Sequence, residues 1–378
     1  MRIAVNTRLL IDGKMDGIGW FTYETISRLV QIHPEHQFYF FFDRKPHPKF
    51  VFAKNVYPIK LWPPARHPLL WWIFFEISTR YALRHHKIDL YISTDGFIPL
   101  HTKIPTLDVI HDLNFEHSQD NLKHSHQWFY NHFFPRYAHK ATRIATVSQF
   151  SKQDIHKTYQ IPMNKIGVVY NGANAIYQPL PEKEQQQTRN SYADGRKYFI
   201  FISTIIKRKN LSGLLKAFDQ FKKRDCENTM LLVVGKRQWW YDELESTYKQ
   251  MSHAMDVKFL GHTAPEQLAR LLSASIALVY PSFFEGFGIP IIEAFYAETA
   301  VITSNVTSMP EVAGNAAILI NPHEPNEIAD AMHRIATDQD LRQRLIAQGR
   351  QQRELFSWEK SAHRLWSEVN QTWGEEIV

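Results

Sequence analysis

Two glutamates, Glu285 and Glu293, stand eight residues apart in the stretch Pro281-Ser-Phe-Phe-Glu-Gly-Phe-Gly-Ile-Pro-Ile-Ile-Glu-Ala-Phe295. The apolar run Ser275 to Tyr280 precedes them and reads as a buried parallel strand ending at Pro281. The pattern is therefore strand, glycine turn, helix, with Glu285 expected in the loop and Glu293 in the first helical turn. Gly286 and Gly288 let backbone come close to a ligand, Pro290 suits a first helical position, and the amides of a helix start favour phosphate. A carboxylate at such a place does not seek phosphate; it accepts hydrogen bonds from hydroxyls. A nucleoside diphosphate sugar offers both, with hydroxyls on each side of its diphosphate. Two acids alone read as a surface turn with a capping glutamate; the strand, the glycines and the proline favour the ligand.

Three further groups could carry chemistry. Lys207-Arg-Lys-Asn210 follows a strand and precedes a helix, which puts Arg208 and Lys209 at the carboxyl edge of a sheet, where open α/β folds bind ligands. Two cations there suit a diphosphate, and a merely basic helix start would oppose the helix dipole. His111-Asp112 ends the run Pro105 to Ile110, again at a carboxyl edge, where an imidazole can hydrogen-bond a sugar hydroxyl. Asp12-Gly-Lys-Met-Asp-Gly-Ile-Gly19 also joins a strand to a helix, but Thr22 occupies the third glycine position of a dinucleotide fingerprint, so this connection is a weak signal. His85-His86 and His124-Ser-His126 have no carboxylate or cysteine at a supporting spacing, so no metal site is expected.

These residues need a scaffold, and the apolar runs supply one. Arg2 to Thr7, Gln37 to Phe42, Leu90 to Ser93, Pro105 to Ile110 and Arg143 to Val147 read as strands, with helical spacing over Gly17 to Val30. Near Tyr177 the chain turns polar and proline-marked, and the alternation restarts with Tyr198 to Ser203, Thr229 to Gly235, Val257 to Gly261 and helices at 211–224, 241–251 and 265–273. The expectation is α/β with two Rossmann-like domains in tandem: residues 1–175, a linker over 176–197, and residues 198–359. The amphipathic segment Trp358 to Trp366 belongs to a long helical tail.

At 378 residues, 44% hydrophobic and 22% charged, the chain has the composition of a folded protein of more than one core. Cys226 is its one cysteine, which excludes an intrachain disulfide. No run of eighteen apolar residues occurs, and the opening Met-Arg-Ile-Ala-Val is unlike a secretory signal. Up to Ala175 there are 21 Lys+Arg against 13 Asp+Glu, a balance of +8, while the remainder carries −2. That asymmetry points to an anionic partner for the first half. Nucleic acid is disfavoured for want of zinc-finger spacing or a base-stacking sheet. The segment Trp62 to Lys87 mixes Trp71, Trp72, Phe74 and Phe75 with Arg80, Arg84 and His85, a core-facing helix by preference but also the character of an interfacial one.

Gly17-Ile-Gly19, His111-Asp112, Thr146-Val-Ser-Gln-Phe-Ser151, Asn171-Gly172, Lys207-Arg-Lys-Asn210, Glu285 to Ala294 and Ser308-Met-Pro-Glu-Val-Ala-Gly314 together resemble the retaining glycosyltransferases of family 4, with the GT-B fold, over nearly the whole chain. Within that family the sequence is most similar to bacterial mannosyltransferase-like enzymes of surface polysaccharide. The resemblance implies two Rossmann-like domains facing each other across a cleft, a donor held by the second domain, an acceptor by the first, and a terminal helix (about 360–378) that returns to the first. It implies Glu293 on the ribose diol, Glu285 on the donor sugar, Arg208 and Lys209 on the diphosphate, and the backbone of Gly286, Phe287 and Gly288 near the sugar. It further implies that Gly17 and Gly19 approach the phosphate and acceptor, that His111 contacts the transferred sugar, and that Ser148 and Asn171 belong to the substrate-binding set. Three departures bear on donor geometry: Ser203 and Thr299 stand where the family has glycine, and Ile206-Lys207 replaces an acid-proline pair.

The chemistry implied is transfer of a hexose, mannose favoured, from a nucleoside diphosphate sugar, GDP-sugar favoured, to a saccharide or lipid-linked acceptor hydroxyl, with retention and without metal or cofactor. A cytoplasmic location is expected, and peripheral contact with the inner face of the cytoplasmic membrane is a separate expectation from the basic first half. A nucleotide-sugar epimerase and a non-catalytic nucleotide-sugar scaffold remain open as alternatives, while a phosphorylase is disfavoured because no lysine stands out as a pyridoxal anchor.

Overall fold

The structure is a computed structural model that describes residues 1–117, 124–225, 227–236 and 242–374. Cys226 and Tyr241, used above, lie outside the described residues. The described chain divides into two compact units, Met1–Asn171 with the C-terminal segment from Trp358, and Gly172–Ser357.

Unit 1 holds seven strands: β1 (Arg2–Asn6), β2 (Gln37–Phe42), β3 (Val56–Lys60), β4 (Leu90–Ser93), β5 (Thr106–Val109), β6 (Arg143–Thr146) and β7 (Ile166–Val168). All pair in parallel in the order β3-β2-β1-β4-β5-β6-β7. Unit 2 repeats the plan with β8 (Tyr198–Ile202), β9 (Met230–Val234), β10 (Val257–Gly261), β11 (Ala277–Tyr280), β12 (Ala300–Ser304) and β13 (Ala317–Ile320), in the order β10-β9-β8-β11-β12-β13. Central strands such as β8 and β9 are buried at every residue, as a parallel sheet covered on both faces requires. In each sheet the order reverses beside the first strand, between β1 and β4 and between β8 and β11. At such a reversal the loops leaving neighbouring carboxyl ends run to opposite faces and part, opening room for a ligand.

The helix Trp358–Trp373 counts with unit 1. Trp358 packs edge-on against Phe21, Arg28 pairs with Glu359 at 2.9 Å, and Arg143 meets Glu368 at 2.7 Å.

Several elements differ from the sequence reading. The stretch 176–197 is not a free linker: it carries the helix Glu182–Ala193, counted with unit 2, with Thr188 and Ala193 buried. So few buried positions in a helix rich in Gln and Glu leave no apolar period to read. β3, β7 and β13 are edge strands of three to five residues, and β3 contains Pro58, which an edge tolerates. β12 is central and wholly buried, but short and preceded by the turn at Glu298.

Candidate functional site

The strand reversal in unit 2 brings Lys207-Arg-Lys-Asn210, which leaves β8, beside Pro281 to Gly288, which leaves β11. Lys207–Lys209 form one 3-10 turn, and Asn210 in the left-handed region (φ +56°) starts the helix Leu211–Lys222. Asn210 ties the two loops together. Its Oδ1 accepts from the Gly213 amide at 3.1 Å, and its Nδ2 donates to the carbonyls of Pro281 at 3.1 Å and Pro322 at 2.7 Å. The Phe283 amide donates to the Arg208 carbonyl at 2.9 Å, and the Arg208 guanidinium reaches the Phe284 carbonyl.

Glu285 lies at the centre. Lys209 Nζ stands 2.5 Å from Oε1, Tyr280 donates its hydroxyl to the same oxygen at 2.8 Å, and Arg208 Nη1 stands 3.1 Å from Oε2. Burial pushes this carboxyl upward, but the Lys209 and Arg208 charges and hydrogen bonds outweigh it and hold it at about 2. Among the described residues the cluster thus brings two cations onto one carboxylate, with side chains no more than 15% exposed. Ser308 Oγ donates to the carbonyls of Glu285 and Phe287 at 2.9 and 3.0 Å, and Thr307 Oγ1 accepts from the Glu285 amide at 3.2 Å.

Gly288 (φ +101°) is the N-cap of the helix Ile289–Tyr296, a backbone conformation that side chains other than glycine rarely adopt, and it brings no capping side chain. Pro290 falls within the first two positions of that helix, while Glu293 is its fifth residue, one turn beyond the expected place. Glu293 meets a different environment: burial raises its carboxyl to about 7 against the lowering effect of a hydrogen bond with Tyr177. One of the family departures has a local explanation: Thr299 donates its hydroxyl to the Leu272 carbonyl at 2.8 Å.

In unit 1, His111 follows β5 and places Nε2 3.0 Å from the Thr94 carbonyl, with its ring edge-on to Phe21. Burial lowers the imidazole pKa, so the ring is neutral at pH 7; because a carbonyl only accepts, the proton sits on Nε2 and Nδ1 is the acceptor. Gly17 opens the helix Gly17–Ile32. Gly19 is needed for packing, since a Cβ there would meet the Leu9 carbonyl at 3.0 Å. Its amide donates to the N-cap Asp16 at 3.0 Å, so at this amide a side-chain carboxylate takes the place expected for a phosphate. Ser148 is the N-cap of the helix Gln149–Tyr159, accepting from the Ser151 amide at 3.0 Å. Asn171 is buried, and its Oδ1 has no hydrogen-bond partner.

Arg208, Lys209, Glu285 and the Gly286-Phe287-Gly288 loop are therefore brought together, with Glu293 on the helix that the loop begins. Sequence reasoning missed Tyr280, Asn210 and Tyr177. The first ends a strand, the second follows the basic pair, and the third sat in the supposed linker. At the reversal in unit 1 it also missed Arg8 and Asp95, paired at 2.5 Å, with Asn6 donating to Asp95 at 2.7 Å and Arg8 lying 4.4 Å from the Phe97 ring centroid.

Residues 15–175 match the family model described as Glycosyltransferase Family 4, and residues 182–352 match Glycosyl transferases group 1. The chain is 29% identical over 303 residues to O-antigen chain mannosyltransferase B of Escherichia coli, covering 78% of each chain. It is 29% identical over 270 residues to O-antigen chain mannosyltransferase RfbU of Salmonella typhimurium, covering 71% of each. In fold it is similar to sucrose-phosphate synthase from Thermosynechococcus elongatus, with TM-score 0.78 at 18% identity over 99% of both chains.

The raised Glu293 carboxyl makes a stability prediction. A folded-state pKa of about 7 against 4.5 favours the native state below the ordinary carboxyl range, and that contribution is lost as pH rises through 7. Relative to the wild type, Glu293→Gln should gain about 2 to 3 kcal/mol of unfolding free energy between pH 5 and pH 8. Urea unfolding of both proteins across that range reads the difference, and parallel pH curves would refute it.

Proposed function

This chain belongs to the family 4 glycosyltransferases of GT-B fold, and from that premise we propose that it moves a hexose from a nucleoside diphosphate sugar to an acceptor hydroxyl with retention at the anomeric carbon. Mannose, and with it a GDP-sugar, is favoured because the relatives at 29% identity are O-antigen mannosyltransferases. By the same likeness the acceptor is a saccharide or lipid-linked saccharide of surface polysaccharide. The observation that carries the reading is the buried Arg208–Lys209–Glu285 cluster where β8 and β11 part.

In this reading the diphosphate lies against Arg208 and Lys209, which stabilise the negative charge that develops as the sugar departs. Preorganised donors of this kind supply much of an enzyme's rate, and here they would do so without a divalent metal. Glu285, held ionised, keeps both cations in place and offers its oxygens to sugar hydroxyls. Glu293 is assigned to the ribose diol and the loop Gly286–Gly288 to the sugar. His111, neutral with Nδ1 as acceptor, is assigned to a hydroxyl of the transferred sugar.

Membrane contact is proposed for unit 1. Trp62, Leu69, Trp72, Ile77 and Tyr81 are exposed, among the exposed cations Arg66, Arg84 and Lys87. Trp71, Phe74 and Phe75 of the same segment are buried, so one face serves the core and the other is apolar and basic, as at an anionic lipid surface. No helix among the described residues is long and apolar enough to cross a membrane.

A thermal-shift screen of GDP-, UDP-, ADP- and dTDP-sugars should select the GDP-sugar, and acceptor should then trigger GDP release with the product's anomeric configuration unchanged by NMR. Lys209→Ala leaves Glu285 with half its compensation, so there stability should fall along with turnover. Arg208→Lys keeps the charge and loses the fork; turnover should drop by about 10²-fold with the melting temperature nearly unchanged. Binding of donor with no nucleotide release for any polysaccharide acceptor would instead favour the scaffold reading.

Flotation with vesicles rich in anionic lipid should retain the protein at low salt. Retention should weaken in Trp72→Ala, Arg84→Glu and at high ionic strength; indifference to all three would remove the electrostatic mode.

A further inference from the structure

The helix Gly17–Ile32 ends at His33, and the chain turns through His33-Pro34-Glu35-His36 into β2. This turn lies at the amino edge of the first sheet, opposite the edge that carries Thr94 and His111. It is closed by the His36 amide on the His33 carbonyl at 3.2 Å. The side-chain amide of Asn55 donates to the carbonyls of Val30, His33 and His36 at 3.0, 3.3 and 3.1 Å. From the C-terminal helix, Trp366 stacks on the His33 ring at 3.7 Å between centroids and on the His36 ring at 5.2 Å. Both imidazole planes are therefore fixed by packing.

Their nitrogens converge on one carboxylate oxygen. Glu35 Oε1 lies 3.2 Å from His33 Nδ1 and 3.4 Å from His36 Nε2, and the three ligand atoms lie within 4.8 Å of one another. His36 Nδ1 accepts from the Met1 ammonium at 3.2 Å, which puts the ring proton on Nε2, the nitrogen turned to Glu35. A tetrahedral zinc ion with bonds of about 2.0 to 2.2 Å holds neighbouring ligand atoms about 3.3 to 3.5 Å apart. Two edges of such a tetrahedron are already close to that length.

We propose that His33 Nδ1, Glu35 and His36 Nε2 form a binding site for a divalent transition metal of the zinc type, with water in the fourth position. Two imidazoles and one carboxylate suit zinc and not magnesium or calcium, which prefer all-oxygen shells. Each ring ligates as a neutral imidazole with its proton on the other nitrogen. At His36 the Nε2 proton therefore leaves to solvent and Nδ1 takes one from the Met1 ammonium, whose neutral amine then accepts that hydrogen bond. The ion's duty is structural: it clamps the end of a helix to the start of β2 and, through Trp366, to the C-terminal helix.

Competition of the full-length protein with a chromophoric chelator for Zn²⁺ alone should reveal one site of micromolar affinity or tighter, and Zn²⁺ should raise the melting temperature. Co²⁺ in its place should give tetrahedral visible absorption and quench a tryptophan component that Trp366→Phe removes. Glu35→Gln, at an exposed side chain, should keep the fold and weaken Zn²⁺ by about tenfold or more; His36→Ala should weaken it further. Binding weaker than micromolar in the wild type, or binding that Glu35→Gln and His36→Ala leave unchanged, overturns the site and identifies a hydrogen-bonded His–Glu cluster only.

Discussion

A carboxylate buried at the edge of the second sheet stays charged because two cations from a neighbouring loop share it. Glu285 with Lys209, Arg208 and the Tyr280 hydroxyl is the contact on which the loops of unit 2 converge. Removing one charge from such a set would leave the others desolvated, which is costly. The pairing depends in turn on strand order. Only because β8 lies next to β11 do residues more than seventy positions apart in sequence meet. Asn210 and Ser308 then hold the loop backbones, one by bonds to three backbone groups and the other by bonds to two carbonyls.

The two units use the same topology to different electrostatic ends. Between β1 and β4, Arg8 and Asp95 form a closed one-to-one pair, packed under aromatic rings, with Asn6 on the same carboxylate. Between β8 and β11, two cations face one acid. The neutral His111 beside the first reversal fits the same division.

Much of this was legible in the sequence because the signals were local. Strands β1, β2, β8 and β9 are continuous apolar runs, and the glycine turn between Tyr280 and the helix at Ile289 has residue types that few other structures accept. The basic pair after β8 could be placed at a carboxyl edge for the same reason. What stayed hidden depends on distance along the chain. Tyr280 reads as the last apolar residue of a strand until Glu285 appears beside its hydroxyl. Tyr177 reads as part of a linker until the carboxylate of Glu293 appears as its partner. The helix Glu182–Ala193 has too few buried side chains to mark itself, and Gly19 looked like a phosphate contact although its amide is already used by Asp16.

Identical residue types eight positions apart end in opposite states because the fold gives them different neighbours. Glu285 is buried and Glu293 partly buried, and desolvation alone would raise both. Glu285 has two cations within hydrogen-bonding distance and is held at about 2, while Glu293, with the Tyr177 hydroxyl as its partner among the described residues, rises to about 7. The first is a fixed anion whose task is to position charge. The second is poised to take up or release a proton near neutrality, because burial outweighs its one stabilising hydrogen bond. A spacing that suggests two equivalent hydroxyl acceptors thus resolves into a carboxylate held ionised by two cations and a carboxyl that titrates near neutrality.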